Sequence, residues 1–421
     1  MQQADQYADA PARASEPASA TQPPDAESLE AILRIVRRYL GMDVAFVSRF
    51  RDRDRLLELL DDESAGPLHQ GQSIPLSEGY CLKVVRGELP EFIPDTSRNP
   101  VARQLPATVE IPIGSHLSVP IVLSDEHVYG TLCCFSYEPN QTLDQRDVML
   151  LRACAEFLAL HFEALVRRER DQATIAAAMH AVMAQGAPRI VFQPVYHLPD
   201  LRLHGFECLS RFDAEPRRTP DRWFAAAHDA GVGLELEFQA IRNALAYLER
   251  MPVGPCMNIN SSPEMILSGR LLALRDSGHD LSRVVLEVTE HAVVRDYAAL
   301  SQALKPLRAD GVTLAVDDAG AGYSSMRHIL SLEPDIIKLD MDLTHGIDAD
   351  PKRKALAKGL TSFAHEIGSL VVAEGVETRA ELLTLARLGV DCAQGYHLDR
   401  PLDFEQALER CRGPIEHGRC G

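Results

Sequence analysis

Apolar residues recur at helical spacing from Ser28 onward, where Leu29, Ile32, Leu33, Val36 and Leu40 share one face. Ser28 can cap that helix and Gly41 can end it. Three runs of strand character follow, Val44 to Phe50, Leu117 to Leu123 and Val128 to Phe135, the last two joined by the turn Ser124-Asp125-Glu126-His127. A second helix is predicted over residues 145–166. Together these elements predict an α+β sandwich over residues 28–166, with one sheet face free to build a ligand pocket. Residues 1–27 lack apolar periodicity and are expected to form a disordered tail.

From Pro188 strands alternate with helices. The strand segments are 190–196, 203–209, 257–261, 284–289, 314–318, 336–340, 370–374 and 392–396. Leu356, Leu360, Phe363 and Ile367 make one helical stripe, Thr378 and Glu381 form a capping box, and Gly389 can stop the helix that follows it. This α/β pattern predicts a closed TIM-like (β/α)8 barrel over residues 188–405, preceded by a helical linker at 167–187 and followed by a C-terminal tail at 406–421. Around the linker, Leu158, Leu165 and Met179 fall at heptad spacing beside Phe162, Ala176 and Met183, interrupted by Arg167 to Asp171. A homodimer through a coiled coil is expected from that seam.

The chain has 421 residues, enough for more than one domain, and 43 Lys plus Arg against 61 Asp plus Glu give a net charge of −18. So acidic a surface repels a phosphate backbone, so DNA is not an expected partner. No apolar run reaches the length of a membrane span and no secretory leader is evident, so a cytoplasmic protein is expected. The nine cysteines, Cys81, Cys133, Cys134, Cys154, Cys208, Cys256, Cys392, Cys411 and Cys420, show neither a CxxC pair nor a zinc spacing, and reduced thiols are expected.

The candidate chemistry lies in the barrel. Glu207, Glu287, Asp317, Asp318 and Glu374 each sit in or at the C-terminal end of an apolar strand, where barrel active sites are built. Carboxylates there are costly to bury unless paired or bound to a cation. With Asn260 they form a hard oxygen set that favours magnesium or manganese over zinc. Adjacent Asp317 and Asp318 would face opposite ways in a regular strand, so a break supplied by Gly320 and Gly322 is expected to bring both to one centre. Lys338 and Asp340 share a face, and a lysine in an acidic cavity can orient water or stabilise phosphoryl charge. In the N-terminal half, Cys81 and His116 are pocket candidates, either of which could hold a chromophore or metal, but a lone cysteine beside Gly79 and Tyr80 is read as a small buried hydrophobe. Cys133 and Cys134 face opposite sides of a strand, and no metal site is expected in that half.

Two resemblances follow from these motifs. Residues 28–166 resemble GAF sensor domains through Gly114 to Ser118, Val119-Pro120-Ile121 and Tyr129-Gly130-Thr131-Leu132, with Glu126 where the family often has glycine. That resemblance implies a sensor for a small-molecule effector whose identity is unknown. Residues 188–405 resemble EAL-type cyclic di-GMP phosphodiesterases through Phe192-Gln193-Pro194, Glu207-Cys208-Leu209-Ser210-Arg211, Leu286-Glu287-Val288-Thr289-Glu290, Asp317-Asp318-Ala319-Gly320-Ala321-Gly322, Ile337-Lys338-Leu339-Asp340, Ala373-Glu374-Gly375-Val376-Glu377-Thr378 and Gln394-Gly395-Tyr396.

The second resemblance implies hydrolysis of cyclic di-GMP to linear pGpG with two magnesium or manganese ions. It implies that Glu207, Asn260, Glu287 and Asp317 hold one ion, and that Asp317 and Asp318, helped by Glu374, hold the other. Lys338 would contact the attacking water, Glu290 would anchor the Asp-Asp loop, Gln394 would complete the polar shell, and Gln193, Leu209 and Arg211 would contact the dinucleotide. For the asparagine, Asn258 lies on the same face, but alignment of Ser262-Pro263-Glu264 favours Asn260. Ala319 and Ala321 replace the family's Phe and Thr, and this is expected to loosen the Asp-Asp loop; restoring both is expected to raise activity. The alternative is a barrel that binds cyclic di-GMP without cleaving it and passes the signal onward.

Overall fold

The computed structural model describes residues 26–64, 66–288, 294–319, 323–413 and 420. The chain forms two compact units, residues 1–170 and 171–421. The expected tail at 1–27 lies outside the described residues up to Asp25, and α1 begins at Ala26.

In the first unit, α1 (Ala26–Tyr39) precedes β1 (Val44–Phe50), β2 (Asp54–Asp62), β3 (Ser73–Pro75), the short α2 (Cys81–Val85) and β4 (Phe92–Ile93). Then come α3 (Pro106–Glu110), β5 (Ser115–Val122), β6 (Val128–Ser136) and α4 (Gln145–Ala184), whose end belongs to the second unit. The strands form one antiparallel sheet in the order β3-β2-β1-β6-β5-β4. Leu29, Leu33 and Val36 of α1 pack with Val148, Leu151 and Leu158 of α4 on one sheet face, and Tyr80, Cys81 and Val84 pack on the other. Cys134 lies in the first of these cores and Cys133 in the second, the opposition that strand alternation requires. Glu126 takes φ +64°, the conformation that glycine adopts most readily in such a hairpin.

The seam residues Leu158 and Phe162 are buried in this unit's own core, and Met179 packs with Trp223, Ala227 and Leu236 in the second unit. The heptad pattern therefore reflects packing within the chain, because the same 3.5-residue spacing serves any helix laid on an apolar surface.

His116 on β5 is buried, stacks on Tyr80 with ring centroids 4.1 Å apart, and burial together with the Arg55 charge lowers its pKa to about 3. The unfolded chain takes up a proton below about pH 6.5 that the folded unit refuses. Stability is therefore full above pH 6.5 and falls by about 1.4 kcal/mol per pH unit below it, until the folded value is reached. His116→Phe, which keeps the stacked ring, is expected to reduce that slope by one proton when the unit's urea midpoint is followed between pH 7.5 and 5.

The second unit contains β7 (Arg189–His197), β8 (Leu203–Arg211), α5 (Pro220–Asp229), α6 (Gly233–Leu248), β9 (Cys256–Asn260), α7 (Pro263–Leu267) and β10 (Val284–Val288). It continues with α8 (Tyr297–Ala309), β11 (Thr313–Ala319), α9 (Tyr323–Leu332), β12 (Ile336–Leu339), α10 (Met341–Thr344), α11 (Pro351–Glu366), β13 (Leu370–Ala373), α12 (Arg379–Arg387), β14 (Cys392–Ala393) and α13 (Phe404–Arg410). Eight strands close a barrel in the order β10-β11-β12-β13-β14-β7-β8-β9. Strand β7 runs antiparallel to both β8 and β14, so the barrel departs from eight uniform β/α repeats. The link from His197 to Leu203 is too short for the crossover that a parallel neighbour needs, and it forms a hairpin instead. The capping box of Thr378 and Glu381 starts α12 as expected, and α13 buries Phe404 and Ala407 against the barrel unit's core.

Val195, Cys256, Val285, Ala315, Ile336, Val372 and Cys392 fill one apolar layer inside the barrel. Cys420 joins this layer in a disulfide with Cys256. The expectation of wholly reduced thiols is corrected here: the two cysteines are 164 residues apart and meet only once the barrel has closed. One step toward the C-terminal strand ends, the interior turns polar, and the candidate site begins.

Candidate active site

The side chains one register step above the apolar layer are Glu207, Asn258, Glu287, Asp317, Lys338 and Gln394. Asn258, Glu287, Asp317, Lys338 and Gln394 each follow a residue of that layer by two, and Glu207 follows Gly205 by two, so strand alternation points them into the barrel. Lys338 is fully buried, and its Nζ lies 3.0 Å from Glu287, 3.2 Å from Asp317, 3.8 Å from Glu207 and 2.5 Å from Glu374. Burial opposes its charge, but Asp317, Glu207, Glu287 and Glu374 outweigh that and hold its pKa well above normal. Burial, with repulsion from neighbouring carboxylates, raises Glu287 to about 8 despite Lys338, and raises Glu374 well above the usual carboxylate range. Gln394 ties the cluster together, donating from Nε2 to Glu207 at 2.6 Å and to Glu374 at 3.0 Å. Gly395 permits this placement, because a Cβ there would come within 2.2 Å of the Val376 backbone.

Asp317 and Asp318 do reach one centre, together with Glu374: one carboxylate oxygen of each lies within 4.8 Å of the others. The break that allows this is in the strand itself. Asp318 takes φ +59°, and the pairing of β11 with β12 shifts between Val316 and Ala319. The expected glycine break falls on Gly320 and Gly322, which lie outside the described residues, as do Ala321 and Glu290. Burial, the Asp317 charge and a hydrogen bond with Asp340 raise Asp318 to about 6. Asp340 thus belongs to the site, and its position two residues after Lys338 was the available sequence signal.

The two asparagines separate. Asn258 is buried and donates from Nδ2 to Glu287 at 2.9 Å, whereas Asn260 sits one step nearer the barrel mouth and is exposed. Gln193 is half-buried opposite Glu207 across the β7–β8 pair, and Leu209 and Arg211 are half-buried farther along β8, on the face of Glu207.

The shift at Asp318 also turns Ala319 outward, where it is 1% exposed among Val316, Ile329 and Leu339. A phenyl ring has no room there. Ala319→Phe is therefore expected to lower stability by about 1–3 kcal/mol through overpacking, read as a fall in Tm, rather than to tighten the loop.

The donor set suits hard divalent cations. Among the described residues, Glu287 Oε2 and Asn258 Oδ1 are buried acceptor oxygens with no donor, beside a cluster in which four carboxylates surround Lys338. Such oxygens are stable when they meet a cation or water.

A closed barrel with carboxylates and a lysine gathered at the C-terminal ends of its strands has the architecture of barrel enzymes. Residues 175–401, more than half of the chain, match the EAL domain family, and the chain belongs to that family. Residues 26–163 match the GAF domain family. The cyclic di-GMP phosphodiesterase PA2567 of Pseudomonas aeruginosa is 28% identical over 250 residues, covering 57% of this chain and 42% of the relative. The probable cyclic di-GMP phosphodiesterase PdeG of Escherichia coli is 29% identical over 270 residues, covering 61% of this chain and 52% of the relative. The chain thus spans about half the length of these relatives or less. Among solved structures, the EAL enzyme Bd1971, with cAMP and cyclic di-GMP bound, has a TM-score of 0.54 and 19% identity over 88% of this chain and 93% of that one. That likeness is one of fold. No helix among the described residues is long and apolar enough to cross a membrane.

Proposed function

We propose that the barrel hydrolyses cyclic di-GMP to linear pGpG with two divalent cations, magnesium or manganese, and that the GAF unit regulates it. The observation that carries this reading is the fully buried Lys338, set among Glu207, Glu287, Asp317 and Glu374 beside acceptor oxygens that no donor among the described residues satisfies. Glu207, Glu287 and Asp317, with Asn258 or Asn260, would hold one cation, and Asp317, Asp318 and Glu374 the other. When bound, the cations supply Lewis acidity for the scissile phosphodiester and its attacking water.

The chain's own groups do the rest. The Lys338 ammonium is placed to orient the attacking water and to donate to the charge that develops on the phosphoryl oxygens as the P–O bond breaks. Gln394 holds Glu207 and Glu374 in register. Gln193, Leu209 and Arg211 line the entrance, where the Arg211 guanidinium suits a phosphate or a guanine edge. A receptor that binds without cleaving would be expected to lack part of this cluster, yet every carboxylate named and the lysine are in place.

Incubating the purified chain with cyclic di-GMP and manganese should convert it to pGpG, resolved by ion-exchange chromatography. Saturable binding without turnover would instead establish the receptor reading. For the sensor half, exposed Ile35, Tyr39, Met149, Phe157 and Leu160 on α1 and α4 support self-association, which light scattering measures. The effector is a small molecule taken up by the GAF unit, acting in the cytoplasm.

A further inference from the structure

The first unit contains a buried cation whose partner is sulfur. Arg55 on β2 is 6% exposed, and among the described residues it makes no ion pair with a carboxylate. Its guanidinium passes over Gly79, where a Cβ would come within 2.4 Å of Nη2, and Nη1 donates to Cys81 Sγ. A guanidinium stays charged in proteins, and a buried charge requires compensation. The group placed to compensate it is the Cys81 thiolate. In agreement, the Cys81 pKa is held well below normal: burial opposes the anion, while hydrogen bonds from Cys133, Thr131 and Ser48 and the Arg55 charge favour it.

A second thiol completes the arrangement. Cys133 on β6 places Sγ 3.5 Å from Cys81 Sγ, and Ser118 and Thr131 hydroxyls lie 3.1 and 3.2 Å from the Cys133 sulfur. A narrow cleft lined by Arg55, Tyr80, His116, Phe46 and Ile113 leads to the guanidinium. A buried structural cysteine needs neither an arginine partner nor a neighbouring thiol, and this pair has both.

We infer that Cys81 and Cys133 are a reactive thiol pair that a small hydroperoxide oxidises to an intramolecular disulfide. The Cys81 thiolate attacks one peroxide oxygen, the O–O bond breaks, and hydroxide or alkoxide leaves and is protonated by water, giving a sulfenic acid at Cys81. The Cys133 sulfur then attacks the Cys81 sulfur, the S–O bond breaks, and the Cys133 proton leaves with the hydroxyl as water. The two sulfurs lose two electrons in all and the peroxide gains them. A low-molecular-weight thiol reverses the reaction by exchange. Oxidation removes the anion facing Arg55, leaving a buried cation unpaired, so the disulfide form must move Arg55 or admit an anion through the cleft.

The test uses the whole 421-residue chain, reduced, freed of reductant, exposed to hydrogen peroxide, then alkylated in denaturant and mapped by mass spectrometry. The expected product is a peptide pair cross-linked through Cys81 and Cys133 that dithiothreitol releases. Cys133→Ser should stop the reaction at Cys81 sulfenic acid, captured by dimedone. Arg55→Met should slow oxidation at least tenfold, while Arg55→Lys, which keeps the charge and serves as the folding control, should retain most of the rate. The proposal is overturned if Cys81 and Cys133 both remain alkylatable while other cysteines oxidise, or if Arg55→Met reacts at the wild-type rate.

Discussion

In EDTA the chain is expected to release no pGpG from cyclic di-GMP, and magnesium or manganese should restore turnover where calcium does so poorly. Calcium prefers oxygen distances of about 2.3–2.6 Å against about 2.0–2.1 Å for magnesium, so it fits a cluster already closed around Lys338 less well. Asp317→Asn keeps the side-chain volume and removes one charge from the point where the two proposed cation sites meet. It should lower kcat about 10³-fold, the upper end of what one preorganised electrostatic contact contributes. A pH dependence follows from the same residues. Glu287 and Asp318 titrate near 8 and 6 when cation-free, above the ordinary carboxylate value, so the folded state binds more protons than the unfolded chain in that window. Stability of the cation-free protein is therefore greatest below about pH 4.5 as far as these two groups are concerned, and it falls as pH rises through 6 and 8. Added manganese competes with those protons, so its stabilising shift in Tm should be larger at pH 8 than at pH 6. Equal turnover with and without EDTA would sink the cation-dependent mechanism.

Lys338→Met should separate charge neutralisation from chemistry. The substitution keeps most of the stem volume and removes the ammonium set among Glu207, Glu287, Asp317 and Glu374. Breaking a buried pair from one side costs about 3–5 kcal/mol, so the cation-free variant should melt well below wild type, and more so at high pH. Saturating manganese supplies positive charge to the same carboxylates and should recover much of that loss. Turnover should remain lower by about 10²–10³-fold, because the ammonium that orients water and meets phosphoryl charge is gone. Substrate binding, measured by calorimetry, should change little. If manganese restored rate together with stability, Lys338 would be a neutralising group and the water-orienting role would fall.

Much of the barrel was legible from local pattern. Strand alternation is a property of neighbouring residues, so Glu207, Glu287 and Lys338 could be assigned to an interior face from the apolar residues two positions away. That five carboxylates lie in or at the ends of apolar strands was enough to mark a cation-binding interior, since burying such groups for structure alone is unfavourable. The EAL motifs then supplied their order.

Other features depend on parts of the chain that meet only on folding. The antiparallel course of β7 is hinted at by a short connection, but it becomes definite only when β7 closes the barrel between β14 and β8. Asp318 has the same neighbours in sequence whether β11 runs straight or shifts register, and its left-handed backbone is visible only where the pairing of β11 with β12 shifts. In the GAF unit, β2 was missed because Asp54–Asp62 is dense in charge and Leu, and its Arg55 acquires meaning only beside Cys81 and Cys133. Cys256 and Cys420 likewise pair across most of the barrel sequence. Period and composition determine which face of an element is buried, whereas charge compensation and sulfur pairing are set by distances between remote segments, and only the closed tertiary structure decides those.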